Sequence, residues 1–273
     1  MQARREFSNC TLIYPACNAR MHHVMNNWIS AVFSPTGGCS AIATAIAGAR
    51  MGKRIDLCAP VEPLEVPAWV PVLAVVPVYG GRVPAVAIQR LRALRGQGGP
   101  AIAVVVYGNR AYEDALLELK TTLTESGFAV VAAAAFIAEH SIIRSIAPGR
   151  PDAADLARCV EFGAAVESKL AQDTPGTVEV PGNADYRPLP QMPATPLVTD
   201  ACGGCGMCAR KCPVGAIPLS NPRSTDAGKC ILCMRCVAIC PRKARVLPPP
   251  MVQAFTARLT AIASEPKLPE LFI

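Results

Sequence analysis

Trp28-Ile29-Ser30-Ala31-Val32-Phe33 runs straight into Ser34-Pro35-Thr36-Gly37-Gly38 and then into the Ala/Ile-rich stretch Cys39–Arg50. An apolar run stopped by Pro and Gly reads as a buried strand and a turn, and the stretch behind it as a helix. The alternation continues along the chain. Arg54–Leu57, Val72–Val78, Ile102–Tyr107 and Val130–Ile137 read as further strands. Val83–Leu94, Glu113–Ser126 and Asp152–Ala171 read as helices, the last capped by Asp152 or preceded by Pro151. Arg90, Arg92 and Arg95 crowd the end of Val83–Leu94, where the helix dipole favours cations. Cys58–Pro71 carries four prolines and reads as a loop. Such alternation predicts a parallel sheet covered by helices on both faces, and five strands in about 145 residues fit a doubly wound α/β domain. Ligands of these sheets sit outside the carboxyl ends of the strands, at the topological switch point. The turns after Phe33, Val78 and Val106 are therefore the places to look.

The chain's 273 residues correspond to about two domains. With 51% apolar residues it can bury a sizeable core, which excludes general disorder. No apolar run approaches the ~18 residues of a membrane span; the longest, Phe128–Ala138, has eleven. A net charge of +7 does not by itself demand nucleic acid. Arg4-Arg5-Glu6-Phe7 looks like the core of a twin-arginine signal, but Asn9, Asn18, Arg20, His22 and His23 interrupt the apolar region that must follow. Residues 1–25 read instead as a disordered or mis-assigned leader, and His22 and His23 lack a third metal ligand. Asp173–Pro196 holds six prolines and reads as a linker, over 173–196, draped across the first domain. Met251–Ala263 reads as a terminal helix and Leu268–Ile273 as an apolar tail that docks on one of the domains, together a segment over 251–273.

Thirteen cysteines are an odd number, and eight of them fall in two tight runs. Such clustering suits metal centres in a reducing cytoplasm better than disulfides. The runs are Cys202-x2-Cys205-x2-Cys208-x3-Cys212-Pro213 and Cys230-x2-Cys233-x2-Cys236-x3-Cys240-Pro241. This is the two-cluster bacterial ferredoxin pattern, in which the fourth cysteine of each run ligates the other cluster. Cluster I is then held by Cys202, Cys205, Cys208 and Cys240, and cluster II by Cys212, Cys230, Cys233 and Cys236. The competing reading is a pair of zinc sites, but zinc usually joins two separated Cys-x2-Cys knuckles. A segment of about 50 residues builds little core, so the clusters also staple the fold. Residues 197–250 carry eight Lys/Arg against Asp200 and Asp226. Each oxidised cube with its thiolates carries roughly −2, so these cations offset cluster charge or face an acidic redox partner.

The turn Ser34–Ser40 presents hydroxyls and backbone N–H groups at the positive end of a helix, a ready phosphate site. It has neither the Gly-Lys-Ser/Thr of a Walker loop nor Gly-x-Gly-x-x-Gly, and Ala45 stands where a cysteine phosphatase needs arginine. Neutral donors of this kind suit a phosphate monoester.

Phe33–Cys39 resembles the FMN phosphate loop of flavodoxins. Pro77–Pro84, Tyr107–Tyr112, Glu139-His140-Ser141 and Gly149–Asp152 resemble segments of bacterial proteins that fuse a flavodoxin-like domain to a two-cluster ferredoxin. The resemblance covers about residues 27–247. It implies a flavodoxin-like doubly wound five-stranded parallel sheet over 26–172 and a small α+β ferredoxin domain over 197–250. It further implies that Ser34, Thr36, Gly37, Gly38, Cys39 and Ser40 cradle the FMN phosphate. Tyr79 and Gly80 would edge one side of the isoalloxazine, and Tyr107, Gly108, Asn109 and Tyr112 the other, with one tyrosine stacked on the ring. Cys39 stands where flavodoxins usually carry threonine, and a thiol is the weaker donor. Arg82 and Arg110 fall near the flavin in this reading, and His140 is structural rather than catalytic.

The expected protein is a cytoplasmic electron carrier. Electrons would pass between FMN, two [4Fe-4S] clusters and an external, acidic redox protein. Two rivals are an FMN-dependent reductase of a small substrate fed by the clusters, and a ferredoxin module whose first domain binds no flavin. The sequence offers no clear substrate acid or base, which favours the carrier over the reductase.

Overall fold

The computed structural model describes residues 27–189 and 194–273. The expectations for residues 1–25, including the twin-arginine run and His22 and His23, lie outside the described residues.

Five parallel strands make the main sheet: β1 (Trp28–Val32), β2 (Met51–Asp56), β4 (Val72–Pro77), β6 (Pro100–Tyr107) and β7 (Ala129–Ile137). Their order is β2-β1-β4-β6-β7, the doubly wound arrangement whose switch point lies between β1 and β4. Period-two alternation sorts the side chains. Ala31, Val72, Ala74, Ala103 and Val105 face one core, and Val32, Leu73, Val75, Ile102 and Val104 the other. Helices α1 (Gly38–Ala47) and α4 (Ala153–Leu170) cover the second face, and α2 (Ala85–Leu91) and α3 (Ala115–Glu125) the first. Gly163 lets α4 sit on α1, since a Cβ there would lie 2.2 Å from the Ile46 carbonyl oxygen. Asp152 does cap α4, in a reciprocal capping box with Asp155.

Three local expectations are corrected. The helix expected over Cys39–Arg50 stops at Ala47. A 3-10 turn over Gly48–Arg50 follows, where Gly48 has φ 51°, and β2 starts at Met51 rather than Arg54. The helix expected to reach Leu94 ends at Leu91. Beyond it β5 (Leu94–Gly96) pairs in parallel with β3 (Leu64–Val66), which lies in the stretch read as loop. Gly96 and Gly127 approach each other too closely for a Cβ on either. Finally, the sheet has six strands, not five: β10 (Glu270–Phe272) pairs antiparallel with β7. The apolar tail thus docks as an edge strand.

The proline-rich stretch lies along the first unit. Asp114 accepts from the backbone N–H groups of Asn183 and Arg187 at 3.0 and 2.9 Å, and Val178 N–H donates to Val130 at 3.1 Å. Arg82, paired with buried Glu118, donates to the Arg187 carbonyl at 2.6 Å and lies under the Tyr186 ring. It therefore fastens this stretch rather than standing free in solvent.

The small unit is built on β8 (Leu197–Val198) paired with β9 (Arg245–Val246), with one-turn helices α5 (Met207–Arg210) and α6 (Arg235–Ala238). Helix α7 (Pro249–Ala263) then returns to the first unit. There Leu259 and Ala263 pack on Ile143 and Ile146 of the loop after β7.

Candidate functional site

A cavity of about 660 Å³ opens at the carboxyl edge of the sheet. Its floor is made by the turns after β1, β4, β6 and β7, where the switch-point rule places a ligand. Ser34, Thr36, Gly37, Gly38 and Cys39 line it at the start of α1. Gly37 precedes α1 with φ 105°, and nothing lies within 4 Å of where its Cβ would be, so the turn leaves room beside the helix terminus. The first N–H groups of a helix have no partner within it, and the turn that begins α1 lines the cavity. Ser34 Oγ accepts from Ser40 N–H at 3.0 Å, which orients the turn. Burial pushes the Cys39 thiol far up, so it stays protonated, and nearby Cys58 adds to the effect.

Tyr79, Gly80, Tyr107 and Gly108 border the cavity. Tyr79 is held as a phenol by burial, and the sulfurs of Cys233, Cys39 and Cys58 push the same way. Tyr79 lines the cavity together with Cys39 of the turn after β1 and Leu232 of the second cysteine run. Tyr107 is only 3% exposed, its ring edge-on to Tyr112 at 5.5 Å.

Three residues assigned to the site do not line the cavity. Ser40 is turned to Arg54, whose Nη2 donates to its hydroxyl at 2.5 Å. Asn109 is buried and hydrogen-bonds Ala263, Glu265 and Lys267. Tyr112 donates its hydroxyl to Glu270 at 2.6 Å. The last two hold the chain terminus in place, which leaves neither free to touch a ring.

Of the upper wall, sequence reasoning placed Arg110 near the site, read His140 as structural and missed the rest. Phe255, Arg258 and Leu259 of α7 cover one side. Arg110 lines another, clamped bidentately to Glu113 at 2.8 Å, and Glu113 is also paired with Arg187. His140 lines a third; its Nδ1 accepts from Ile143 and Ile142 N–H at 3.1 and 3.3 Å. Burial pushes the imidazole down to about 4, so it is neutral near pH 7. The remaining wall comes from the small unit: Ile231, Leu232, Met234, Val237 and Ala238. No short motif marks these residues; only their position between the second-run cysteines could have drawn attention to them. Arg90 joins the units here, donating to the Leu57 carbonyl at 2.7 Å and the Pro213 carbonyl at 2.6 Å.

The two cysteine runs superpose as a repeat offset by 28 residues. Ala216 N–H donates to Cys212 Sγ and Ala244 N–H to Cys240 Sγ, both at 3.3 Å. Left-handed backbone recurs at Gly204 and Leu232, Gly206 and Met234, and Gly215 and Lys243. Burial raises the Cys230, Cys233 and Cys236 thiols, and Cys212 acts in the same direction on all three. Helices α5 and α6, which carry Cys208 and Cys236, pack on each other, so the two runs are adjacent. Among the described residues, no three His, Cys, Asp or Glu side chains converge on one ion-sized point. A four-iron cube carries one thiolate per iron and spaces its ligands more widely than a single ion does.

Residues 201–245 match the family model of the 4Fe-4S dicluster domain. Among solved structures, the chain is similar to oxidised flavodoxin 1 from Bacillus cereus, at 19% identity over 50% of this chain and 92% of that one, with a TM-score of 0.33. No curated protein matches the chain. Among the described residues, no helix is long and apolar enough to cross a membrane.

Proposed function

We propose that this chain, a flavodoxin-like α/β unit joined to a 4Fe-4S dicluster domain, carries electrons between FMN, two [4Fe-4S] clusters and an external redox protein. The observation that carries the reading is the shared wall. Ile231, Leu232 and Met234, threaded between the second-run cysteines, line the same cavity as the Ser34–Cys39 turn. FMN supplies one- or two-electron chemistry and each cluster one-electron chemistry. The protein supplies proximity. The turn at the start of α1 takes the phosphate monoester, and Tyr79 and Gly80 flank the ring.

The order of the centres follows from burial. Cluster II, on Cys212, Cys230, Cys233 and Cys236, lies toward the cavity, and Cys233 is buried. Cluster I, on Cys202, Cys205, Cys208 and Cys240, lies outward, with Cys205 exposed. Met207 and Leu219 are exposed on the same unit, as are Arg210, Lys211, Arg223, Arg242 and Lys243. An acidic redox protein in a reducing cytoplasm is the partner this surface suits.

The test is anaerobic purification with iron, sulfide and flavin quantified per chain. About eight irons and one FMN are expected. Flavin bands should bleach together with the cluster absorption when a one-electron donor is added. Colourless protein, or zinc in place of iron, would sink the proposal.

A further inference from the structure

Arg245 is 2% exposed, yet no carboxylate pairs with it among the described residues. Its Nη1 donates to Thr225 Oγ1 at 2.9 Å, and its Nη2 to the carbonyl oxygens of Pro222 and Ser224 at 2.6 and 3.3 Å. All three acceptors are neutral. The two acids of this unit are engaged elsewhere, Asp200 by Arg223 at 3.4 Å and Asp226 by Lys229 at 3.6 Å. A buried cation without a counter-charge is costly, and Arg cannot escape the cost by losing its proton.

Residues of both ligand sets lie around it. The Pro222 carbonyl that it holds is also 3.9 Å from Cys208 Sγ, and Ala244, next to it in the chain, donates its N–H to Cys240 Sγ at 3.3 Å. Helix α6, which carries Cys236, packs on the β9 strand that Arg245 begins. The pairing of β9 with β8, where Arg245 is opposite Val198, fixes its backbone. In the 28-residue repeat, its counterpart is buried Ile217. The cation is therefore no requirement of the ligand-binding loop, since the first half of the repeat does without it.

We infer that Arg245 is the internal counter-charge of both clusters and sets their reduction potentials, a role that rests on the cluster-binding reading above. Each one-electron reduction adds negative charge beside a fixed cation. The reduced form gains more from that cation than the oxidised form, so Arg245 raises both potentials.

The experiment is a redox titration of the full-length, anaerobically purified protein followed by paramagnetic resonance, with iron counted in every sample. Arg245→Gln, which keeps hydrogen bonding but removes the charge, is expected to retain eight irons and to shift both potentials to more negative values. Arg245→Lys, which keeps the charge, is expected to stay close to the parent protein. Unshifted potentials in an iron-replete Arg245→Gln protein, or equal shifts in both variants, would overturn the inference. Should Arg245→Gln lose iron, Arg245→Lys decides. Full iron at parental potentials supports the charge role, and equal iron loss assigns Arg245 to structure alone. A parent protein without iron would instead refute the cluster-binding reading.

Discussion

The side-chain amide of Asn109 donates to the backbone carbonyl of Ala263 at 2.6 Å and to that of Glu265 at 2.9 Å. Its Oδ1 accepts from Lys267 N–H at 3.3 Å. One residue of the loop after β6 thus holds the end of α7 and the segment leading to β10. Asn109 has φ 64°, a conformation that asparagine tolerates better than most residues. Asn109→Ala removes these bonds and leaves the carbonyl of buried Ala263 without this donor, at a cost on the order of 1–3 kcal/mol. The expected result is faster amide exchange confined to residues 249–273, with faster release of bound flavin. Unchanged exchange in that segment would show that the tie is not needed.

Gly81 has φ 89°, and a Cβ there would lie 1.8 Å from Glu113 Oε2. Gly81→Ala therefore meets two obstacles. The backbone alone costs on the order of 1–3 kcal/mol, and Glu113 must also let go of Arg110 and Arg187. Gly37→Ala has a comparable φ of 105° but open space around its Cβ. Denaturant melts should rank Gly81→Ala as the less stable of the two. Equal losses would remove the role assigned to Glu113.

His140 gives stability a pH dependence of known sign. Its folded value, about 4, lies below the ordinary 6.5, with burial the main cause and Arg110 adding to it. Between those two values the unfolded chain binds a proton that the folded chain refuses. Stability attributable to this group is complete above the window and falls as pH drops through it, with a slope of up to about 1.4 kcal/mol per pH unit. Urea melts across the window should show that loss, and His140→Gln should remove it. In a magnetic-resonance titration, one of the three imidazoles should titrate near pH 4.

Arg90→Met tests the seam between the units. Both carbonyls that Arg90 holds, Leu57 and Pro213, lose their donor, and Pro213 directly follows Cys212, the residue proposed above for cluster II. Iron and flavin content are expected to stay at parental levels, while stopped-flow reduction of the clusters through the flavin slows. Parental rates would show that the seam is held by apolar contact alone.

The parts of this molecule that were legible in the sequence are those in which each residue reports on its own neighbourhood. Val72-Leu73-Ala74-Val75-Val76 is a strand because both its faces are buried, and the two cysteine runs announce in their spacing the 4Fe-4S dicluster domain that residues 201–245 match. The illegible parts depend on distant partners. Glu270-Leu271-Phe272 is a strand only because the edge of β7 is available to it, and three residues carry too little pattern to say so. Leu64–Val66 is hidden among prolines in the same way. Asn109 and Tyr112 follow the strand whose end borders the cavity, and by sequence alone that puts them beside it. What they touch is a terminus some 150 residues away, at separations of 154 and 158 positions. Leu232 and Met234 could not be assigned to the cavity wall without knowing how the small unit is turned.

The duplicated cysteine motif departs from true symmetry where its backbone bends left-handed. Gly204, Gly206 and Gly215 take these bends without penalty, whereas Leu232, Met234 and Lys243 occupy them against their preference, each at a cost of about 1–2 kcal/mol. Two of those three side chains project into the cavity, so the unfavourable conformation is exchanged for a lining that glycine could not provide. A perfectly doubled motif would have no inward or outward half. By clothing one copy and leaving the other bare, the chain acquires polarity, a near end and a far end along which charge can be handed in sequence.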